Sequence, residues 1–184
     1  SFDLAEITDP KALITKEFAD ANYSGGGGSS TGLEAIDEGN GVGWRLIGRD
    51  PANYGNIGAF AVDLSISDEP SSTYGATGTN SSAMGVYATA SGNYSSAIGE
   101  ATASGLRSIA IGFGASALDE NSIAMGARTT ASADEAMAFG YNTIASGESA
   151  TALGRGTTAS GFWSTAMGSN TTASGVTATA TGYG

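Results

Sequence analysis

Ser122-Ile123-Ala124-Met125-Gly126-Ala127-Arg128-Thr129-Thr130-Ala131-Ser132-Ala133 reads as two short phrases of small residues, and both phrases return along the chain. The first occurs as SSAMG, SSAIG, SIAIG, SIAMG, AMAFG, ATALG, STAMG and ATATG, with its closing glycines at 85, 99, 112, 126, 140, 154, 168 and 182. The step is 14 residues, apart from a single 13. The second phrase appears as ATASG at 88 and 101, ASALD at 115, TTASA at 129, TIASG at 143 and TTASG at 157 and 171. The missing residue falls between Gly99 and Gly105. Self-similarity at a fixed period marks a solenoid. Its 14-residue coil divides into two five-residue strands and two two-residue turns.

Side chains alternate between the faces of a strand. One face of the first phrase carries only small residues, such as Ser122, Ala124 and Gly126. Thr157, Ala159 and Gly161 do the same in the second phrase. These faces suit a thin interior between two closely packed sheets. The opposite face of the first phrase is apolar. It holds Met84, Ile98, Ile111, Met125, Phe139, Leu153 and Met167, joined by Ile109, Ile123 and Met137. The opposite face of the second phrase holds pairs such as Thr130 and Ser132 or Thr158 and Ser160, and can stay wet. An apolar stripe of this length on a lone soluble chain invites aggregation. Burying it along the axis of a closed rotational oligomer removes the problem. The sequence therefore predicts an obligate oligomer whose axis is lined by the ten apolar side chains named above. The period itself does not fix the number of subunits.

The remaining chain is predicted in three pieces. Residues 1–23 contain a helix, with Asp9 as its cap, Pro10 in its first turn and Leu13, Ile14, Phe18 and Ala21 on one face. It serves docking or trimerisation, or is a frayed end. Residues 24–32, SGGGGSSTG, read as a flexible linker. Residues 33–80 form an irregular β-rich cap, with short strands at Val42–Ile47 and Phe60–Ile66. Trp44, Tyr54 and Phe60 there make a small core or a ligand platform. The repeats fill 81–184. Their last sheet edge is uncovered, and edges are normally covered, so either more chain follows Gly184 or the sequence is a fragment.

The composition removes several kinds of chemistry. The 184 residues include no Cys and no His. Disulfides, thiolate metal sites, Cys nucleophiles and His acid–base catalysis are thereby excluded. The net charge of -11 disfavours a nucleic-acid partner. There is no apolar run of 18 residues, so direct membrane insertion as a helix is not expected, and no secretion signal is visible. No cofactor motif is present. Acyltransferase solenoids use a six-residue period, and no Gly-x-Ser-x-Gly elbow has a His to serve it, so the chain is not expected to be an enzyme.

Two rims carry candidate side chains. Glu120, Asp134 and Glu148 recur at one turn position, with Glu135 beside them. Stacked carboxylates suit a hard cation such as Ca²⁺, or they form a solvated acidic rim. Phe162 and Trp163 lie on that rim, as does Tyr94, while Tyr87, Phe113 and Tyr141 take the other. Turn aromatics can grip a sugar or protein receptor, or pack on a neighbouring subunit. The Thr/Ser face also raises an ice-binding alternative, although Leu118 and Ile144 interrupt it.

SIAMGARTTASA and STAMGSNTTASG resemble the head repeats of YadA-like trimeric autotransporter adhesins, over Ser81 to Gly182. The resemblance implies an all-β, left-handed parallel β-roll, a homotrimer with the apolar column on its axis, and a non-enzymatic adhesive head outside the cell. No binding residue carries over from it. ALITKEFADANYS near the start is similar to the opening stretch of some bacteriophage tail-fibre proteins, which use the same repeats. The expected protein is a homotrimeric attachment fibre that meets a host-surface protein or glycan, most readily a tail fibre on a virion. A bacterial surface adhesin head is the alternative, and a passive spacer shaft is a further one.

Overall fold

The computed structural model describes residues 32–184. The helix expected in 1–23 and the linker up to residue 31 lie outside the described residues. The described chain opens with an antiparallel hairpin, β1 (Leu33–Asp37) against β2 (Val42–Leu46). A 3-10 turn at Pro51–Asn53 follows, and the Asp50 carboxylate accepts from the Ala52 N–H at 3.0 Å to cap it. Strands then come in sequence: β3 (Val62–Ile66), β4 (Gly75–Ala76), β5 (Ser82–Val86), β6 (Thr89–Ala90), β7 (Ser96–Ala103), β8 (Ile109–Ala117) and β9 (Ile123–Ala127). They continue as β10 (Thr130–Ala131), β11 (Met137–Tyr141), β12 (Ile144–Ala145), β13 (Thr151–Arg155), β14 (Thr158–Ala159), β15 (Thr165–Ser169), β16 (Thr172–Ala173) and β17 (Thr179–Tyr183).

Pairing skips one strand in the regular array. β9 pairs in parallel with β11, β11 with β13 and β13 with β15, while β10 pairs with β12 and β12 with β14. The chain therefore winds into a parallel β-solenoid of about 10 turns with coils of about 14 residues. Register follows the repeat residue for residue: Ala124 lies against Ala138, and Gly126 against Gly140.

The two faces are less equal than the sequence predicts. The first phrase gives a five-residue strand, but the second gives only two residues, as in β10. The cause is local. The N–H groups of Ser160 and Gly161 both donate to the Ala173 carbonyl, at 2.9 and 3.2 Å, which ends the ladder. A turn then closes with Ser164 N–H donating to Gly161 O at 3.2 Å.

The interior is as thin as expected. Ser122, Ala124, Thr129, Ala131, Thr157 and Ala159 are all inaccessible to solvent. Glycine closes the first phrase because neighbouring coils touch there. Gly126 has a left-handed φ of 128°, and a Cβ on it would collide with the Gly140 carbonyl.

The short coil is where the spacing places it. Glu100 pairs with Phe113 and Ala101 with Ala115, leaving Gly114 without a counterpart. The coil at Ser96–Ala103 lacks one corner residue.

Residues 33–80 contribute coils of their own. β2 pairs in parallel with β3, β3 with β5 and β4 with β6. The aromatic core expected there does not form. Tyr54 is buried, whereas Trp44 and Phe60 are exposed. A buried ion pair stands inside instead. The Arg45 Nε donates to Asp63 Oδ2 at 3.1 Å, and its Nη2 donates to Gly55 O at 2.8 Å. The Arg45 guanidinium also lies 4.9 Å from the centre of the Tyr54 ring.

Candidate functional site

The long strands carry the apolar face because alternation turns every second residue outward. The central column runs in register from Leu64 through Met84, Ile98, Ile111, Met125, Phe139 and Leu153 to Met167, and ends at Thr181. Met84 is 48% exposed, Ile98 41% and Met167 42%. Met125, Leu153 and Ile109 are also exposed, while Ile111, Ile123, Met137 and Phe139 are half-buried. Ile109, Ile123 and Met137 form a second column beside the first. The sequence reading missed Val62, Leu64, Ile66 and Val86, which extend this face into the early coils. The signal was present, since Val62, Leu64 and Ile66 alternate within one strand.

The Thr/Ser face is mixed. Ser91, Ser104, Ser132, Ser160 and Ser174 are exposed, but Thr102, Thr130 and Thr158 are half-buried and Thr89 is buried.

The rim aromatics do not converge. Phe162 and Trp163 meet edge to face, with ring centres 5.5 Å apart, and both are exposed. Trp163 sits at the third position of the turn Gly161–Ser164, with a φ of 54°. That left-handed position favours Gly or Asn, so a tryptophan is held there at a cost. Tyr94 occupies the same turn position with a φ of 60°, but five coils away. At one strand spacing per coil the separation is about 24 Å. These aromatics are two separate features.

The acidic rim does not form a cation cage either. Glu120 pairs with Arg107 at 3.0 Å, and Glu135 accepts from the Ser149 hydroxyl at 2.9 Å. Asp134 shares a hydrogen bond with Asp119, which, with desolvation and the charges of Asp119 and Glu120, holds its carboxyl above the usual range. Glu148 is exposed. Among the described residues no three Asp or Glu side chains are grouped to hold a metal. On the opposite rim the Tyr87 hydroxyl bonds the Asp68 carboxylate, which pushes its pKa up to about 12. No helix among the described residues is long and apolar enough to cross a membrane.

Comparison with known families bears on the repeat itself. The model of the YadA head domain repeat (2 copies) matches residues 76–99, 103–129, 131–157 and 159–184. The chain belongs to the YadA head-repeat family. No curated protein matches it. The YadA head repeats thus account for the coils from Ala76 onward, and the coil containing β3 precedes the matched region. Family and fold together make this an adhesin-like head.

Proposed function

We propose that the protein is a non-enzymatic homotrimeric attachment head, with three rolls side by side and their long-strand faces turned to a common axis. The observation that carries this reading is the exposed apolar column from Met84 to Met167. Burying one Met, Leu or Ile side chain is worth about 1.5–3 kcal/mol. Six exposed positions per subunit, with four half-buried ones adding a fraction each, supply a driving force that an interior of Ala, Ser, Thr and Gly lacks. The ten residues predicted for the axis are accordingly the proposed subunit contacts. Stiff parallel rolls then present three copies of each rim, and weak contacts multiply into avidity.

The head acts outside the cell, meeting a host-surface protein or glycan. The likeness of residues 12–24 to tail-fibre openings supports placement on a phage-like particle, while the family match equally supports a bacterial surface adhesin. Co-purification of the native protein with particles or with cell envelope separates these two. Adhesion is tested by titrating labelled protein onto intact cells. The expected result is tight binding that weakens about a hundredfold when Met125 and Leu153 are both replaced by Glu, because avidity goes with the trimer. Equal binding by that variant contradicts the trimeric mechanism. No binding by intact trimer favours a passive shaft.

A further inference from the structure

The shortened coil leaves a notch in the rim. Where the 14-residue coils have a corner residue such as Gly114, the chain steps directly from Glu100 to Ala101. The resulting cleft has a volume of about 240 Å³ and lies between Tyr87 and Gly114, on the coils either side. Its lining is mixed. Tyr74 and Tyr87 form one wall, with ring centres 5.2 Å apart and planes tilted by 38°. Thr89, Thr102 and Ser116 are register partners and place a row of hydroxyl side chains along another. The exposed Glu100 carboxylate stands among them.

Tyr87 is held in place at both ends of its side chain. Its hydroxyl is fixed on Asp68, and its ring lies against Tyr74. Its backbone is left-handed, with a φ of 54°. The matching corner of other coils uses Gly114, Asn142, Gly156 or Asn170, residue types that tolerate this conformation, and in one coil Arg128, with a φ of 56°. An aromatic here is therefore not chosen by the turn.

We propose that this notch is a binding site for one neutral hexose unit of a surface glycan. Tyrosine rings offer a flat apolar wall for the C–H face of a pyranose. A carboxylate accepts hydrogen bonds from vicinal sugar hydroxyls, and Thr and Ser hydroxyls both donate and accept. The volume is below that of pockets for drug-sized ligands, and it suits a single ring. Asp68 and Glu100 repel acidic sugars. A small cation is a poorer match, because the Asp68 carboxylate is already engaged by Tyr87 and one exposed carboxylate holds a cation weakly. The inference rests on the attachment reading, in which the glycan belongs to the surface that the head meets.

Saturation-transfer NMR on the whole protein tests it. The probes are the methyl glycosides of glucose, galactose, mannose and N-acetylglucosamine, with tetramethylammonium as the cationic comparison. At least one glycoside should bind with a Kd of about 1 mM, largely independent of salt. Tyr87→Asn puts a turn-compatible residue at the corner, and a glycine inserted between Glu100 and Ala101 restores the 14-residue coil and fills the notch. Both variants should stay folded, with the circular-dichroism spectrum of the parent, and weaken sugar binding by about tenfold or more. Absence of binding by all four glycosides overturns the proposal. So does binding that survives both variants, or binding of tetramethylammonium alone. Solution mass measured on the same samples separates this inference from the one it rests on. A trimer blind to every glycoside removes the notch as a site and leaves the attachment head standing. A monomer that binds sugar keeps the notch and removes the trimer.

Discussion

The first coils and the regular array fill the same inner column with opposite chemistry. Arg45 and Asp63 are register partners on β2 and β3, and Asp63 is followed in register by Ala83 and Ala97. Further along, the column is Ala110, Ala124, Ala138, Ala152 and Ala166, each inaccessible to solvent. A guanidinium and a carboxylate occupy the place that a methyl group takes in every later coil. The difference shows what each part contributes. In the array, backbone ladders and small side chains set a narrow spacing, and the outer face carries the large apolar groups. In the first coils the interior is wide enough for Arg45 to reach Gly55 O and the Tyr54 ring, and charge and hydrogen bonds fill the space.

Breaking the ion pair gives the largest expected effect. Asp63 is inaccessible and Arg45 is 2% exposed, so Asp63→Ala leaves a buried cation with Glu38, at 3.6 Å, as its remaining carboxylate. Removing one partner of a buried pair costs about 3–5 kcal/mol. The denaturant midpoint, measured at fixed protein concentration, should fall accordingly. The double variant Arg45→Ala with Asp63→Ala extends the alanine column and should recover most of that loss. A double variant no better than Asp63→Ala would show that the first coils need volume, not charge balance.

Enlarging the alanine column should come next. Ala138→Leu places a branched side chain between sheets that have no free volume for it. Overpacking costs about 1–3 kcal/mol per site, seen as a lower melting temperature by circular dichroism. Leu at position 138 with unchanged stability would mean that the interior is looser than its burial indicates.

The smallest effect belongs to the acidic rim. The Asp134 carboxyl titrates above its ordinary value because of its bond to Asp119 and the neighbouring negative charges. Protonation therefore favours the folded state. That contribution is full below the ordinary carboxylate value and is lost as pH rises through the raised one. Across this acidic window the melting temperature of Asp134→Asn should depend less steeply on pH than that of the parent. Parallel profiles would remove the Asp119–Asp134 contact from the account.

The repeat was legible because every coil from Ser81 onward repeats the same accident of spacing, with glycine where coils touch and alanine where sheets meet. The shortened coil was legible for the same reason, since one missing residue stands out against a fixed step. The early coils were not legible as coils. Leu64 pairs with Met84, a spacing of 20 residues, because the chain between β3 and β5 is longer than in the array. Periodicity cannot reveal a coil whose length differs from its neighbours. Arg45 and Asp63 escaped notice because a charged residue in an alternating strand reads as solvent-facing until its register partner is known. Tyr94, Phe162 and Trp163 lie in turns, whereas Phe113 and Tyr141, read from the sequence as rim residues, fall within β8 and β11, because those strands run on past the closing glycine. Tyr74 and Tyr87 come together through the same long connection that hid the early coils.

The outward placement of large apolar side chains underlies the proposed assembly, and solution mass tests it most directly. Analytical ultracentrifugation at micromolar concentration should give a single species of three chains, each of 18.1 kDa. A folded species sedimenting at the mass of one chain, with Met84, Leu153 and Met167 left in water, would contradict it.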